Sequence, residues 1–168
     1  QRAAIRYVKS RGLNQKDVYR WRMLYSSSRS YRRRIIVPSF DSECALNYYI
    51  ARTIDADRKP KYTNSKIPKN DIIFNEIDID WRSPIVLVEG VFDAMKCGEN
   101  VVPILGSSLS KKSKLYSMLT RHACDVTLSL DQDLKQKSYI IANDLARNGC
   151  DVSVSFAPRN LDLCAMPK

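Results

Sequence analysis

After Pro84 the chain settles into an alternation that few folds can accept. "IVLVE" (85–89), "VVPIL" (101–105), "DVTLSLD" (125–131) and "DVSVSF" (151–156) are short, nearly continuous apolar runs. Between them lie stretches of helical character at 92–97, 111–121 and 135–147, the first and last closed by Gly98 and Gly149. Short strands rich in apolar residues, separated by helices, predict a parallel sheet covered on both faces. Residues 83–168 are therefore expected to form a doubly wound, mainly parallel α/β unit.

The first half reads differently. "AAIRYVKSRGLNQKDVYRW" has helical periodicity, breaks at Gly12 and restarts after Asn14, a good N-cap, which predicts a short helical hairpin. "YRRRIIVPSFD" and "ALNYYIART" predict two strands joined by a turn at 41–44. Residues 55–80 are polar and punctuated by two prolines, so loops are expected there, with one short helix or strand near 72–74. "WRSP" at 81–84 marks the connection, giving a basic α+β lobe at 1–82 followed by the α/β unit.

Charge separates the same two halves. The formal net charge is +10, of which residues 1–80 carry +8 (17 Lys/Arg against 9 Asp/Glu) and residues 81–168 carry +2 (11 against 9). In the first 34 residues, eleven basic residues face one acid, Asp17. Clustered Lys and Arg bind phosphates with release of counterions, so this lobe suits a polyanion such as nucleic acid; the bland alternative is a solvated basic surface. At 168 residues and 44% hydrophobic content the chain can bury a core, and it has no apolar run near the roughly 20 residues of a membrane span. Five cysteines without CxxC spacing and a single histidine, His122, argue against a structural zinc and point to reduced thiols in a cytoplasm-like compartment. The chain opens on Gln1 with no targeting pattern after it, so a piece of a longer protein is expected.

The acids fall where such a sheet does its chemistry, beyond the carboxyl ends of the strands. Glu89 ends the first strand and Asp131 the third; Asp133 lies two residues on, and Asp162 follows the fourth strand. Carboxylates brought together repel and bind hard divalent cations, Mg²⁺ or Mn²⁺ rather than zinc. Each acid alone has a plainer reading. Glu89 or Asp133 could cap a helix, Asp93 sits in a first helical turn, and Asp162 could simply be exposed.

"VLVEGVFDA" followed by "LSLDQD" resembles the Glu and Asp-x-Asp signatures of the Toprim domain. That domain occurs in bacterial-type DNA primases, type IA and type II topoisomerases and certain nucleases. "RIIVPSFDSECALNYYIAR" at 34–52, "KYTNS" at 61–65 and "RGL" at 11–13 resemble, in order, elements of the RNA polymerase core of bacterial or phage primases. The departures are Cys44 where a turn glycine is expected, Gln136 where a glycine follows Asp-x-Asp, and Cys164 where a second acid is common after Asp162.

This resemblance implies a primase core that makes short RNA primers on single-stranded DNA from ribonucleoside triphosphates. Glu89, Asp131 and Asp133 would be catalytic and would bind Mg²⁺ or Mn²⁺, with Asp93 and Asp162 as further ligands. Arg34, Arg52, Lys61 and Lys69 would contact template or nucleotide, whereas Arg32 and Arg33 read as a solvated run and Tyr48, Tyr49 and Tyr62 as packing. It further implies a bacterial cytoplasmic setting, in a bacterium or a phage, with a zinc-binding module and a replicative helicase outside this stretch and no membrane. The rivals are a Toprim nuclease, a topoisomerase, for which no nucleophilic tyrosine is placed, and a non-catalytic module that binds single-stranded DNA.

Overall fold

The computed structural model describes residues 2–156. It opens with α1 (Arg2–Ser10) and α2 (Gln15–Arg20). The break between them is Gly12, at φ 71, and the restart is the expected cap: Asn14 accepts from the amides of Lys16 (2.8 Å) and Asp17 (3.3 Å), while Asp17 accepts from the Asn14 amide (2.8 Å). Strands β1 (Leu24–Tyr25), β2 (Arg34–Phe40) and β3 (Leu46–Thr53) form an antiparallel sheet in the order β1-β2-β3. The two-residue β1 was not legible in the sequence. Neither a helix nor a strand forms at 72–74; Ile72 is extended and Phe74 enters a turn, between 3₁₀ turns at Lys69–Asp71 and Glu76–Asp78.

The second half alternates as expected: β4 (Ile85–Val88), α3 (Val91–Ala94), β5 (Val101–Pro103), α4 (Lys114–Arg121), β6 (Asp125–Ser129), α5 (Lys135–Arg147) and β7 (Asp151–Val154). The four strands are parallel in the order β5-β4-β6-β7. α3 is one turn long, shorter than the sequence pattern. α4 starts three residues late because Ser113 caps it, accepting from the Tyr116 amide (3.2 Å).

One face of this sheet is sealed by α4 and α5 over Leu87, Val102, Val126 and Leu128. On the other face Val86 and Val88 pack with α3 and the first lobe, while Thr127 and Ser153 hydrogen-bond each other (3.0 Å) at an exposed surface. The expectation of two fully covered faces is corrected to that extent. β6 and β7 carry hydroxyl residues on the open face, so water can satisfy it.

The two lobes share their core. One hydrophobic cluster joins Ala4, Val8, Leu13, Trp21, Val37 and Ile50 to Val88, Phe92 and Met95. Ile73 and Phe74, each 1% exposed, enter different cores, Phe74 that cluster and Ile73 the core beneath α4 and α5.

The β2–β3 turn is organised by Asp41, whose Oδ1 accepts from the amides of Glu43 (3.0 Å) and Ala45 (2.9 Å). Cys44 is held at φ 66, the left-handed region that favours glycine. That conformation costs a non-glycine residue roughly 1–2 kcal/mol, and glycine's larger entropy loss returns roughly half of it. Cys44→Gly should therefore add about 0.5 kcal/mol of stability, read as a higher urea midpoint at unchanged slope. Cys44→Val should lower it, and equal midpoints for the two variants would show that the turn is not strained.

Candidate active site

β4 and β6 are neighbours in register, Val88 opposite Ser129, so the residues that leave their ends emerge at one edge. Glu89 follows β4 directly. Asp131 follows β6 after the buried Leu130. Glu89 is half-buried, and its backbone carbonyl accepts from the Gly106 amide (3.1 Å), which ties it to the loop after β5. Asp93 sits at the third position of α3 and accepts from the Gly90 amide (3.0 Å), the capping role that its place in the first turn predicts. Its carboxyl group still lines the crevice. Asp133 lies in the exposed 3₁₀ turn Gln132–Leu134.

These acids act on one another. Burial raises the Glu89 pKa above its ordinary value, and the nearby charges of Asp131, Asp93 and Asp133 raise it further; Lys137 is the cation that opposes them. The donor chemistry suits a hard divalent cation. Among the described residues, no three acidic, cysteine or histidine side chains are gathered closely enough to hold a metal ion. Asp162 lies outside the described residues, as does Cys164.

The opposite wall is cationic. "KYTNS" is an extended strap along β3: the Thr53 amide donates to the Lys61 carbonyl (3.0 Å), Thr63 to Ala51 (2.9 Å) and Ser65 to Tyr49 (3.0 Å). It carries Lys61, Tyr62 and Asn64 to the crevice beside Arg52. The Arg52 guanidinium is packed between the rings of Tyr62 (5.2 Å) and Phe92 (5.0 Å), and its Nη1 donates to the Tyr62 hydroxyl (2.6 Å). Arg11 lies over the same Phe92 ring at 5.8 Å. A guanidinium held by its faces can turn its remaining Nη donors to a phosphate. Together the walls bound an open crevice of about 460 Å³.

One basic residue departs from expectation, and two others find partners at the surface. Arg34 does not reach the crevice: it is 2% exposed and donates to the carbonyls of Ala51 (3.0 Å), Pro60 (2.8 Å) and Lys61 (3.3 Å), a clamp that fastens the strap to β3. Arg33, read as solvated, forms a bidentate pair with Asp55 (Nε–Oδ2 2.8 Å). Lys69 sits at the rim, donating to the Leu105 carbonyl (3.3 Å). Tyr48 and Tyr49 are packing residues, edge-on to Phe74 and Tyr31. Tyr62, by contrast, lines the crevice. Sequence reasoning passed over it, over Arg11 and Asn64 as side chains, and over Gly106. Gln136 lies in regular helix on the surface of α5, so no backbone demand for glycine exists there.

No protein-family model matches this chain, and no curated protein matches it in sequence. Solved structures do. The zinc-binding and RNA polymerase domains of Aquifex aeolicus primase match 98% of this chain with a TM-score of 0.83 at 22% identity. A DNA primase domain from Pseudomonas aeruginosa matches 98% (TM-score 0.76, 20% identity), and a primase catalytic domain bound to single-stranded DNA matches 96% (0.77, 16%). The fold is that of the DNA primase catalytic core. The present chain spans 52% of the Aquifex chain, 66% of the Pseudomonas chain and 68% of the DNA-bound one. In this chain the acidic sheet edge and the cationic strap line one opening. Among the described residues no helix is long and apolar enough to cross a membrane.

The Glu89 shift has a measurable consequence. The folded protein holds that proton more tightly than the unfolded chain, so stability falls as pH rises from the ordinary value of 4.5 through the raised one. Below that window the charge is absent in both states and the cost vanishes. Without divalent cations, Glu89→Gln should raise the Tm at pH 7, a gain of under about 1 kcal/mol for a part-buried group. The gain should disappear near pH 4. Thermal melting at both pH values checks this, and identical Tm values at pH 7 would contradict it.

Proposed function

We propose that this chain is the catalytic core of a DNA primase, making short RNA primers on single-stranded DNA by divalent-metal-dependent nucleotidyl transfer. The observation that carries the reading is the crevice itself, with Glu89, Asp93 and Asp131 on one side and Arg11, Arg52 and Lys61 on the other. A nucleotide and a template strand are both polyanions, and carboxylates alone would repel them. Arg52 and Lys61 supply the attraction.

Glu89 and Asp131, with Asp133 two residues further on, are the residues that would hold Mg²⁺ or Mn²⁺; Asp93 and Asp162 are proposed as further ligands. Magnesium commonly takes one or two carboxylates and completes its shell with water and substrate phosphates, so an open carboxylate edge fits it. When bound, the cation supplies charge neutralisation and alignment for in-line attack on the nucleotide's α-phosphate. Arg52, oriented by Tyr62 and Phe92, grips phosphate through its remaining Nη donors, and Lys61 adds a point charge. Arg34 serves indirectly, by fixing the strap that carries Lys61 and Tyr62. Lys69 is proposed at the nucleotide end of the crevice.

The partners in this reading are single-stranded DNA and ribonucleoside triphosphates. A zinc-binding module is proposed as well, in line with the domain that accompanies the polymerase domain in the Aquifex structure, as are a replicative helicase and a bacterial or phage setting.

The test is the chain with single-stranded template, ribonucleotides and Mg²⁺ or Mn²⁺, products being resolved on a gel. Short RNA is expected, and Asp131→Ala or Glu89→Ala should abolish it while leaving the thermal melt intact. Full synthesis by either variant would end the assignment. DNA cleavage in place of extension would mark a nuclease, and DNA binding without divalent-ion uptake a passive module. Arg52→Ala should weaken nucleotide or template use by about tenfold or more, the value of a charge-assisted contact. Unchanged binding and unchanged synthesis together would refute that role.

A further inference from the structure

The sheet edge continues past Asp131. In the strand order β5-β4-β6-β7, Glu89 and Asp131 follow the two middle strands, and β7 stands beyond them on the side away from Gly106. Leu128 is opposite Val154, and the Ser155 amide donates to the Leu128 carbonyl (2.8 Å), so the parallel ladder runs one residue past β7. That register sets Phe156 level with Leu130, the residue before Asp131. Two side chains of α5, one turn apart, meet Phe156 there. The Tyr139 ring lies edge-on to it, with centroids 6.1 Å apart and planes at 68°, and Lys135 Nζ lies 5.8 Å from its centroid.

This cluster is open to solvent. Tyr139 is 48% exposed and its neighbour Ile140 62%, while Phe156 is half-buried. Among the described residues, Lys135 has no carboxylate partner, so all three of its N–H donors remain for a ligand. A single exposed apolar side chain is ordinary surface. Here two rings and an ammonium group converge at the edge of the sheet that carries Asp131. An apolar protein partner would have to strip water from that ammonium without replacing it. A nucleotide would not: its base offers a flat face to a ring, and its phosphate offers a charge to the lysine.

We propose that Tyr139, Phe156 and Lys135 form a platform on which unpaired bases of a nucleic-acid strand stack where that strand leaves the crevice beyond Asp131. Tyr139 and Phe156 supply the ring surface, Ile140 extends it, and Lys135 takes a phosphate. A strand longer than the opening must leave it over one rim, and the β7 rim offers rings to its bases. Every base has a π-face, so such a platform holds a strand without reading its sequence. That the strand is a template or a primer rests on the polymerase reading above; the platform itself does not.

Fluorescence anisotropy of an end-labelled oligothymidylate, read beside the same backbone made abasic, tests this on the full chain in Mg²⁺. Tyr139→Ala should weaken oligothymidylate binding about tenfold, the value of one stacked base, and Tyr139→Phe should restore it. Phe156→Leu, which keeps apolar bulk and removes the ring, should act like Tyr139→Ala. Neither ring variant should change the affinity for the abasic strand. Lys135→Ala should weaken both strands and lower the slope of binding against salt by about one. Should Phe156→Leu fail to fold, the variants at the exposed Tyr139 and Lys135 decide alone. Oligothymidylate affinity unchanged by Tyr139→Ala and by Lys135→Ala would overturn the proposal, as would equal losses on the abasic strand from Tyr139→Ala. A lowered Tm as the only effect would overturn it too, leaving the pair as surface packing. So would a wild-type dimer that Tyr139→Ala splits without altering strand affinity, which would assign the patch to a second copy. If strand binding depends on the rings but the chain makes no primer, the platform stands and the polymerase reading falls; primer synthesis with strand binding indifferent to Tyr139 and Lys135 means the reverse.

Discussion

Phe92 is the side chain on which the crevice hangs. It lies three residues after Glu89, is 3% exposed, and its ring is contacted by Arg11, Arg52 and, edge-on, by Tyr7 at 6.3 Å. Through it the turn that projects Glu89 is packed against the residues that make the cationic wall. Each ring–guanidinium contact contributes roughly 0.5–2 kcal/mol, the higher figure when the cation is desolvated. That desolvation has a cost, since Nε of both arginines is buried without an acceptor among the described residues. A buried donor left unpaired costs roughly 1–3 kcal/mol, so the stacking is closer to balanced than to strongly stabilising. What it secures is position.

The electrostatics of the opening follow from that spacing. Arg52 and Lys61 share the crevice with Glu89, yet Lys137, on the acidic side, is the cation that offsets its raised pKa. Glu89 is therefore offset from the acidic side, in a crevice of about 460 Å³ whose lining carries both carboxylates and cations. A ligand carrying both kinds of charge, such as a phosphate chain with its divalent counterion, satisfies both at once.

Much of this was legible in the sequence. The strand–helix alternation fixes that Glu89 and Asp131 leave a parallel sheet at the same end, and α5 spans the residues that its pattern indicated. The basic wall was harder to read because it is built by long-range pairing. The strap at 61–65 looks like a polar loop, since only its alternate amides bond to β3 and its partner strand ends eight residues earlier in the chain. The run of arginines at 32–34 gives no sign of which member turns inward. Arg33 finds Asp55, while Arg34 is enclosed by the carbonyls of 60 and 61, which arrive from a segment without periodicity. Tyr62 reads as a half-buried strand residue until the strap places it over Arg52.

Rigidity of the opening rests on the lobes having no slack between them. Phe92 joins the second lobe to the first core, Phe74 enters that same core from the connection, and Ile73 beside it enters the other. Because these adjacent side chains are buried in different cores, the dipeptide cannot follow one lobe without pulling on the other. Rotation of the lobes would have to strip apolar surface from both cores at once, at about 25 cal/mol per Å² exposed. The charged residues of the lining are held in position by apolar packing beneath them. Groups fixed in this way need no reorganisation when a ligand arrives, which is where preorganised electrostatics gain over the same charges in water.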